Sequence, residues 1–358
     1  MRREHGGNIE EVSRCFGIDA DRMIDFSASI NPLGYPPGVK EAILEAFDAV
    51  LHYPDLDSFE LVESLSRYHG VDPNCILAGS GSTEFMYLLP MVVKPKRALI
   101  VTPAFGEYEK GLKMAGTAVE YFPTFRDADF SINTDLLRRR LSEGFDILYL
   151  CNPANPTGRL VPKEMVRTVL ARAEDTRTMC VVDEAFIDFV EEESVKNEIH
   201  DFPGLIVLRS MTKFFGLPGL RAGYVIGLAS HVEAMKKQQT PWTVNALVQK
   251  AAAAALKDKG YIARTRAYVG AEREYLRSAL NEIPGLTAFE SAANFLLVFL
   301  DGTIGFGSAE LRRRLIPEGF LVRDCNSFHG LGDRYIRVAV RKKNENKALV
   351  KALERIMS

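Results

Sequence analysis

The chain of 358 residues lacks most of what marks a secreted, membrane-bound or nucleic-acid-binding protein. Cysteine is scarce: Cys15, Cys75, Cys151, Cys180 and Cys325 are odd in number and far apart, and no C-x-x-C occurs. That speaks against a disulfide framework or a zinc site and for reduced thiols in a cytoplasmic protein. The six histidines show no paired ligand spacing, so no metal is expected. An excess of one charge is missing too, because 45 basic residues against 47 acidic ones leave a net charge of -2. Neither nucleic acid nor a membrane surface is implied as a partner. The basic clusters Arg138–Arg140 and Arg312–Arg314 fall in helical segments and read as solvated faces. Long apolar runs are absent; stretches such as Phe295 to Leu300 are strand-sized, far short of the roughly 20 residues a membrane span needs. The opening MRREHGGNIEE has no apolar signal core, and the tail ends soon after its last helical pattern. Neither a leader nor an appended domain is therefore expected. No internal repeat occurs, and the only compositional bias is the Ala-rich stretch 251–255.

What is present is an apolar content of 47%, enough for a sizeable core, and a regular alternation of strand and helix patterns. Short apolar strands are expected at Cys75–Ala78, Ala98–Val101, Ala118–Phe122, Asp146–Leu150, Met179–Val182 and Leu205–Leu208. Polar motifs cluster at their carboxyl ends, as in a largely parallel α/β sheet with its site along that edge. After Asn245 the pattern changes: two long helices, about 243–258 and 261–282, lead to strands at Phe295–Leu300, Leu321–Arg323 and Tyr335–Val340. We expect a large domain over 46–245 with a mostly parallel sheet sandwiched by helices. A smaller α+β domain would be formed by 246–358 together with the N-terminal arm, 1–45.

The stretch Ser210 to Tyr224, SMTKFFGLPGLRAGY, holds one lysine, Lys213, preceded by two hydroxyl residues and followed eight positions on by Arg221. A lysine traps a carbonyl only if its amine is held in place and partly deprotonated. Ser210, Thr212 and Arg221 are the groups that would hold a phosphate dianion beside it. The plainer alternative is a surface loop of ordinary Ser, Thr and Lys. Upstream, a strand runs into Gly79-Ser80-Gly81-Ser82-Thr83-Glu84 and then a helix. Free N–H groups and the helix dipole make such a turn an anion site, although a simple capped turn reads the same way. It fails the Walker and Rossmann spacings.

Pyridoxal phosphate needs five things from a protein, and the chain has a candidate for each. Lys213 would carry it. The Gly81, Ser82 and Thr83 turn with Ser210, Thr212 and Arg221 would form the phosphate cup. Asp183, ending an apolar strand, would pair with the protonated ring nitrogen; a buried aspartate is otherwise costly. Asn155 in NPANPTG would donate to the ring hydroxyl, and Phe105 would stack on one ring face. Each piece alone has a dull alternative, such as a helix cap for Asp183 or a tight turn for NPTG.

In their order, GSGSTE, NPANPTG, DEAF and SMTKFFGLPGLRAGY resemble the fold-type I pyridoxal-phosphate superfamily. The blocks HGGNIEE, DFSASINPLG, HYPD, DEAFIDF, LRSMTKFFGLPGLRAGY and QQTPWTVNALV are similar to the threonine-phosphate decarboxylases of cobalamin biosynthesis. These lie in a branch shared with histidinol-phosphate aminotransferases, which usually show DEAY where this chain has Phe186. The resemblance covers essentially the whole chain from His5. It implies decarboxylation of L-threonine O-3-phosphate to (R)-1-amino-2-propanol O-2-phosphate. Lys213 and Asp183 would be the catalytic residues. The resemblance further implies that Arg337 clamps the substrate carboxylate, with Asn155 beside it. Arg323, His5 and Asn31 would meet the substrate phosphate. Tyr53 would reach the cofactor phosphate of a neighbouring subunit, making the site a property of a homodimer. Without the resemblance, Arg323 and Arg337 are most simply surface charges. The rival reading is an aminotransferase for histidinol phosphate or a related amino acid; a non-catalytic pyridoxal-binding module is a remoter one.

Overall fold

The computed structural model describes residues 5–357. Among these, thirteen strands form three sheets. The first strand, β1 (Ile24–Asp25), belongs to the N-terminal arm. The large sheet is built from β2 (Ile76–Gly79), β3 (Arg97–Thr102), β4 (Ala118–Pro123), β5 (Ile147–Cys151), β6 (Met179–Asp183), β7 (Leu205–Ser210) and β8 (Gly223–Gly227). Later come β9 (Leu286–Ala288), β10 (Phe295–Leu300), β11 (Phe320–Leu321), β12 (Arg323–Asp324) and β13 (Tyr335–Ala339).

The large sheet has the order β2-β8-β7-β6-β5-β3-β4. All of its pairs are parallel except those made by β8, which runs antiparallel to both neighbours. Its central strands read as continuous apolar runs (ILYLC, MCVVD) because both faces are covered. The parallel strands therefore end on one edge. Gly79, Thr102, Cys151, Asp183 and Ser210 close them there, with Cys151 opposite Asp183 and Asp183 opposite Leu208.

The sequence expectation did not include β8. Its apolar run YVI lies within three residues of Arg221 and reads from sequence as a continuation of the lysine motif. The structure turns the chain back there, so β7 and β8 form the two walls of the Lys213 loop.

The second sheet, β12-β13-β10-β9, is antiparallel and packs with the C-terminal helix Lys343–Met357 around Leu296, Val298, Ile336, Val338, Leu349 and Leu353. The N-terminal arm lies beside it: β1 pairs in parallel with β11 in a separate two-stranded sheet, and the Ala339 N–H at the end of β13 donates to the Phe26 carbonyl at 2.9 Å. Val12 and Met23 of the arm also pack on Ile316 and Leu321. Helices Gly38–Glu45 and Ala246–Ala255 pack on one another, and Val39, Val248 and Ala252 enter the core of the large sheet. Helix Lys259–Asn281 serves both cores, with Tyr261 and Val269 in one and Leu276 and Leu280 in the other. No helix among the described residues is long and apolar enough to cross a membrane, and all five cysteines are free.

Candidate active site

The loops at the carboxyl edge of the large sheet meet the second sheet and the arm around a cavity of about 690 Å³. Lys213 lies in it, on the loop that leaves β7 at Ser210. Burial, helped by the nearby cations Arg337 and Arg221, lowers its amine to about 8, against an opposing pull from Asp183. A lysine held this way exposes a nucleophilic amine near neutral pH.

Asp183 stands at the end of β6 and is 3% exposed. It accepts hydrogen bonds from the Tyr108 hydroxyl and from the backbone N–H of Ala185, the latter at 3.0 Å. Among the described residues no cation pairs with it, and burial raises its pKa. A buried carboxylate whose one nearby cation, Lys213, lies beyond ion-pair distance is a costly arrangement that a protonated ring nitrogen would relieve. Tyr108 belongs to the site but was not expected. Its signal was available: it stands three residues after Phe105, which lines the cavity, and its N–H donates to the Phe105 carbonyl at 3.3 Å.

Ser82 and Thr83, at the N-terminus of helix Ser82–Val93, line the same cavity with Ser210, Thr212 and Arg221. The Ser210 and Thr212 hydroxyls are 2.8 Å apart. Gly81 sits behind them at φ +79°, where a Cβ would come within 2.7 Å of the Arg221 guanidinium. Two hydroxyl pairs, helix N–H groups and one guanidinium suit a phosphate monoester. The donor set thus fits pyridoxal phosphate at both its ring nitrogen and its phosphate.

Asn155 lines the cavity from the loop after β5, and its side-chain oxygen accepts from Arg337 Nη1. That bond leaves the Asn155 amide nitrogen as the group that would donate to a ring oxygen. Arg337, on β13, also donates from Nη2 to the carbonyl of Ser27 at 2.9 Å. No carboxylate among the described residues pairs with it, its Nε has no partner, and burial lowers it to about 10. A buried arginine in this condition awaits an anion. Phe186 also lines the cavity and packs edge-on against Phe295, 4.9 Å away. Arg323 and His5 form the far end; Arg323 donates to Ser327 Oγ at 2.8 Å, and His5 Nε2 lies 3.1 Å from Glu107 Oε1.

Two expected residues are not brought to the cavity. The Asn31 side chain, 3% exposed, turns into the protein. Its amide donates to the Phe214 carbonyl at 2.7 Å, to Tyr261 OH at 2.7 Å and to Thr265 Oγ1 at 3.0 Å, and its oxygen accepts from Leu33 N–H. With both amide hydrogens used, Asn31 has no donor left for a substrate phosphate. Its backbone N–H donates to the Lys213 carbonyl at 3.1 Å, so it secures the lysine loop instead. Tyr53 is 81% exposed and stacks on Trp242, with centroids 4.6 Å apart, away from this chain's own cavity.

Sequence reasoning also missed a buried ionic cluster behind the site. Arg209, fully buried on β7, pairs with Glu184 at 3.0 Å, Asp188 at 2.9 Å and also Glu191. It ties the segment after Asp183 to the strand that delivers Lys213.

The matches to known proteins agree with this geometry. Residues 21–353 match the family model for aminotransferase class I and II. The threonine-phosphate decarboxylase of Salmonella typhimurium is 38% identical over 356 residues, covering 99% of this chain and 96% of that protein. A putative threonine-phosphate decarboxylase of Caldanaerobacter subterraneus is 36% identical, covering 98% and 93%. Among solved structures, the histidinol-phosphate aminotransferase of Clostridium acetobutylicum aligns with a TM-score of 0.86 at 30% identity, covering 93% of this chain and 98% of that one.

Proposed function

The chain belongs to the aminotransferase class I and II family, and we propose that within it the protein is a pyridoxal-phosphate-dependent decarboxylase of L-threonine O-3-phosphate. Its product is (R)-1-amino-2-propanol O-2-phosphate, and its setting is cobalamin biosynthesis in the cytoplasm. The observation that carries this reading is the placement of two cationic ends on one cavity. Arg337 stands at one end without a carboxylate partner, Arg323 and His5 stand at the other, and Lys213 lies in the same cavity. A substrate with a carboxylate, an amine and a phosphate engages all three.

Lys213, Asp183, Asn155, Phe105 and the Ser82, Thr83, Ser210, Thr212 and Arg221 cup would hold pyridoxal phosphate. When bound, this group supplies an electron sink for the pair released at the substrate α-carbon. Arg337 fixes the carboxylate, while Arg323 and His5 fix the phosphate. Together they set the rotation about the bond between nitrogen and the α-carbon. Held at both ends, the substrate would be kept in one rotation at its α-carbon, and the proposed function takes that rotation to be the one that favours loss of the carboxylate. Binding energy at the remote phosphate thereby serves orientation at the reacting carbon. Asp183, kept dry and held by Tyr108, stabilises positive charge on the ring nitrogen. The bond to the carboxylate breaks and CO₂ leaves. The Lys213 ammonium then delivers a proton to the α-carbon, which balances the reaction.

Histidinol-phosphate aminotransferase is the rival, given the solved relative at 30% identity. Phe186 counts against it, since a phenylalanine offers no hydroxyl to the ring oxygen at the wall where that branch usually has tyrosine. We further infer a homodimer with shared sites. Phe47, Leu51, Tyr53, Phe59 and Trp242 expose a broad apolar surface around Tyr53. In such a dimer Tyr53 reaches the partner's cofactor phosphate. The domain division that goes with this reading is 46–245 for the large unit and 1–45 with 246–358 for the smaller one, with helix Lys259–Asn281 packing on both cores.

The deciding experiment offers O-phospho-L-threonine to the cofactor-loaded protein without any oxo acid. CO₂ and aminopropanol phosphate are expected. Glutamate formed from histidinol phosphate and 2-oxoglutarate, with no CO₂, would overturn the reading.

A further inference from the structure

Glu107 is a carboxylate inside a cavity otherwise arranged for anions, and nothing in the chemistry above uses it. It opens helix Glu107–Met114, is 7% exposed, and faces the cavity. Its Oε1 receives His5 Nε2 at 3.1 Å and Lys110 Nζ at 2.6 Å, and its Oε2 accepts from the Tyr87 hydroxyl. A negative charge here would repel a substrate phosphate unless it were committed elsewhere. Three donors and the positive end of its own helix commit it.

The backbone beside His5 is held against Ser27. Gly6 packs so closely on Ser27 that a Cβ would lie 2.2 Å from the Ser27 carbonyl oxygen, and Gly7 N–H donates to Ser27 Oγ at 2.9 Å. Those contacts fix the backbone beside His5 but leave its ring free to rotate. The Glu107 contact is the one that aims the ring across the cavity mouth, beside Phe105 at 5.8 Å.

We propose that Glu107 is a positioning residue for the phosphate end of the site: it orients His5, and so makes the N-terminal arm part of substrate binding. This rests on the reading of the cavity as a site for a phosphorylated substrate. Among the described residues, the charged groups facing His5 are Glu107 and Lys110 on the helix and Arg323 on β12. Burial and the two cations lower the imidazole, and Glu107 opposes them. Without Glu107 the ring loses the contact that aims it, and its pKa falls further.

The test is a double-mutant cycle on the cofactor-loaded protein with E107A, H5A and the pair. E107A is expected to raise the KM for O-phospho-L-threonine roughly 10-fold with kcat changed less than about 2-fold. The alkaline limb of its kcat/KM profile should move to lower pH. E107Q should keep the orientation and lose only the charge, so it shifts the limb with a smaller KM change. Adding E107A to H5A should cost nothing further. Hydrogen exchange at residues 5–8 should speed up alike in E107A and H5A, a readout independent of turnover. Additive effects of E107A and H5A, or an unmoved pH limb with unchanged exchange, would overturn the proposal. Should the wild type prove to transaminate histidinol phosphate, the cycle is read on that phosphate instead. Failure of the decarboxylase reading is thereby separated from failure of this one.

Discussion

Arg337 on β13 and Asn155 on the loop after β5 share a hydrogen bond across the gap between the two sheets, 182 residues apart in the chain. Under the proposed function, the residue that would bind the substrate carboxylate thus orients the residue that would bind a ring oxygen. R337A should lower kcat/KM for O-phospho-L-threonine by about 30- to 5,000-fold, since breaking a buried charged hydrogen bond costs roughly 2–5 kcal/mol. R337K should recover little, because a lysine cannot reproduce the two-pronged geometry. Steady-state kinetics of both variants check this; near-wild-type activity in R337K would remove Arg337 from the carboxylate.

Lys213 should react with added pyridoxal phosphate along a titration centred near pH 8, because burial and two cations lower its amine to about 8. An ordinary lysine would need a pH near 10.4. The sign is fixed: a lowered lysine pKa makes more free amine as pH rises through 8, and R221Q should move the midpoint up by removing a cation. Borohydride trapping across pH, read by mass spectrometry of the peptide containing Lys213, measures both. A midpoint near 10 would show that the amine is not desolvated.

The Tyr108–Asp183 bond predicts graded losses. D183N should lower kcat by about 10²–10³-fold, the scale of losing one preorganised electrostatic partner. Y108F removes a hydrogen bond to a charged group, worth roughly 1.5–3 kcal/mol, and should cost about 10- to 100-fold. Burial raises the Tyr108 pKa well above its ordinary value, so its loss should add no new limb to the pH–rate profile.

Asn31 should behave as a structural residue. N31A leaves the Phe214 carbonyl and the Tyr261 and Thr265 hydroxyls short of a donor and should destabilise by roughly 1–3 kcal/mol in urea unfolding. Its KM for the phosphorylated substrate should change far less than that of R323A. A large KM effect with unchanged stability would return Asn31 to the phosphate.

Two inactive variants should complement each other. Mixed subunits of Y53A and K213A contain one site with a wild-type lysine and a wild-type tyrosine from opposite chains. Activity should reappear on refolding them together, and its failure to do so would sink the shared-site dimer.

Much of this was legible because the sheet is parallel. Gly79, Asp183, Ser210 and Asn155 sit at strand ends or just beyond, and a parallel sheet carries every such end to one edge. Alternation of strand and helix thus located Lys213, Asp183, Asn155 and the Ser82–Thr83 turn together. Side-chain direction was not legible. Asn31 follows the same kind of small polar motif, yet its amide points inward, because the choice is made by Tyr261 and Thr265 more than 200 residues away. Arg209 was hidden for a related reason: nothing local reveals that a strand arginine will meet three carboxylates from a single downstream turn of another strand. The reversal into β8 was missed although Pro218-Gly219 marks a turn, because Arg221 drew the following residues into the lysine motif and the strand begins only two residues after it.

The two-residue pairing of Ile24 with Phe320 and Asp25 with Leu321 joins the beginning of the chain to its far end. During synthesis the ribosome must add nearly three hundred residues after Ile24 before its partner strand exists. The large sheet, complete at Gly227, can form well before that. A nascent chain could therefore acquire the lysine and the phosphate cup while His5, Arg323 and Arg337 are still unassembled. Contacts this distant in sequence are slow to form. Recruitment of cofactor and competence for substrate should be separate events in the birth of the molecule.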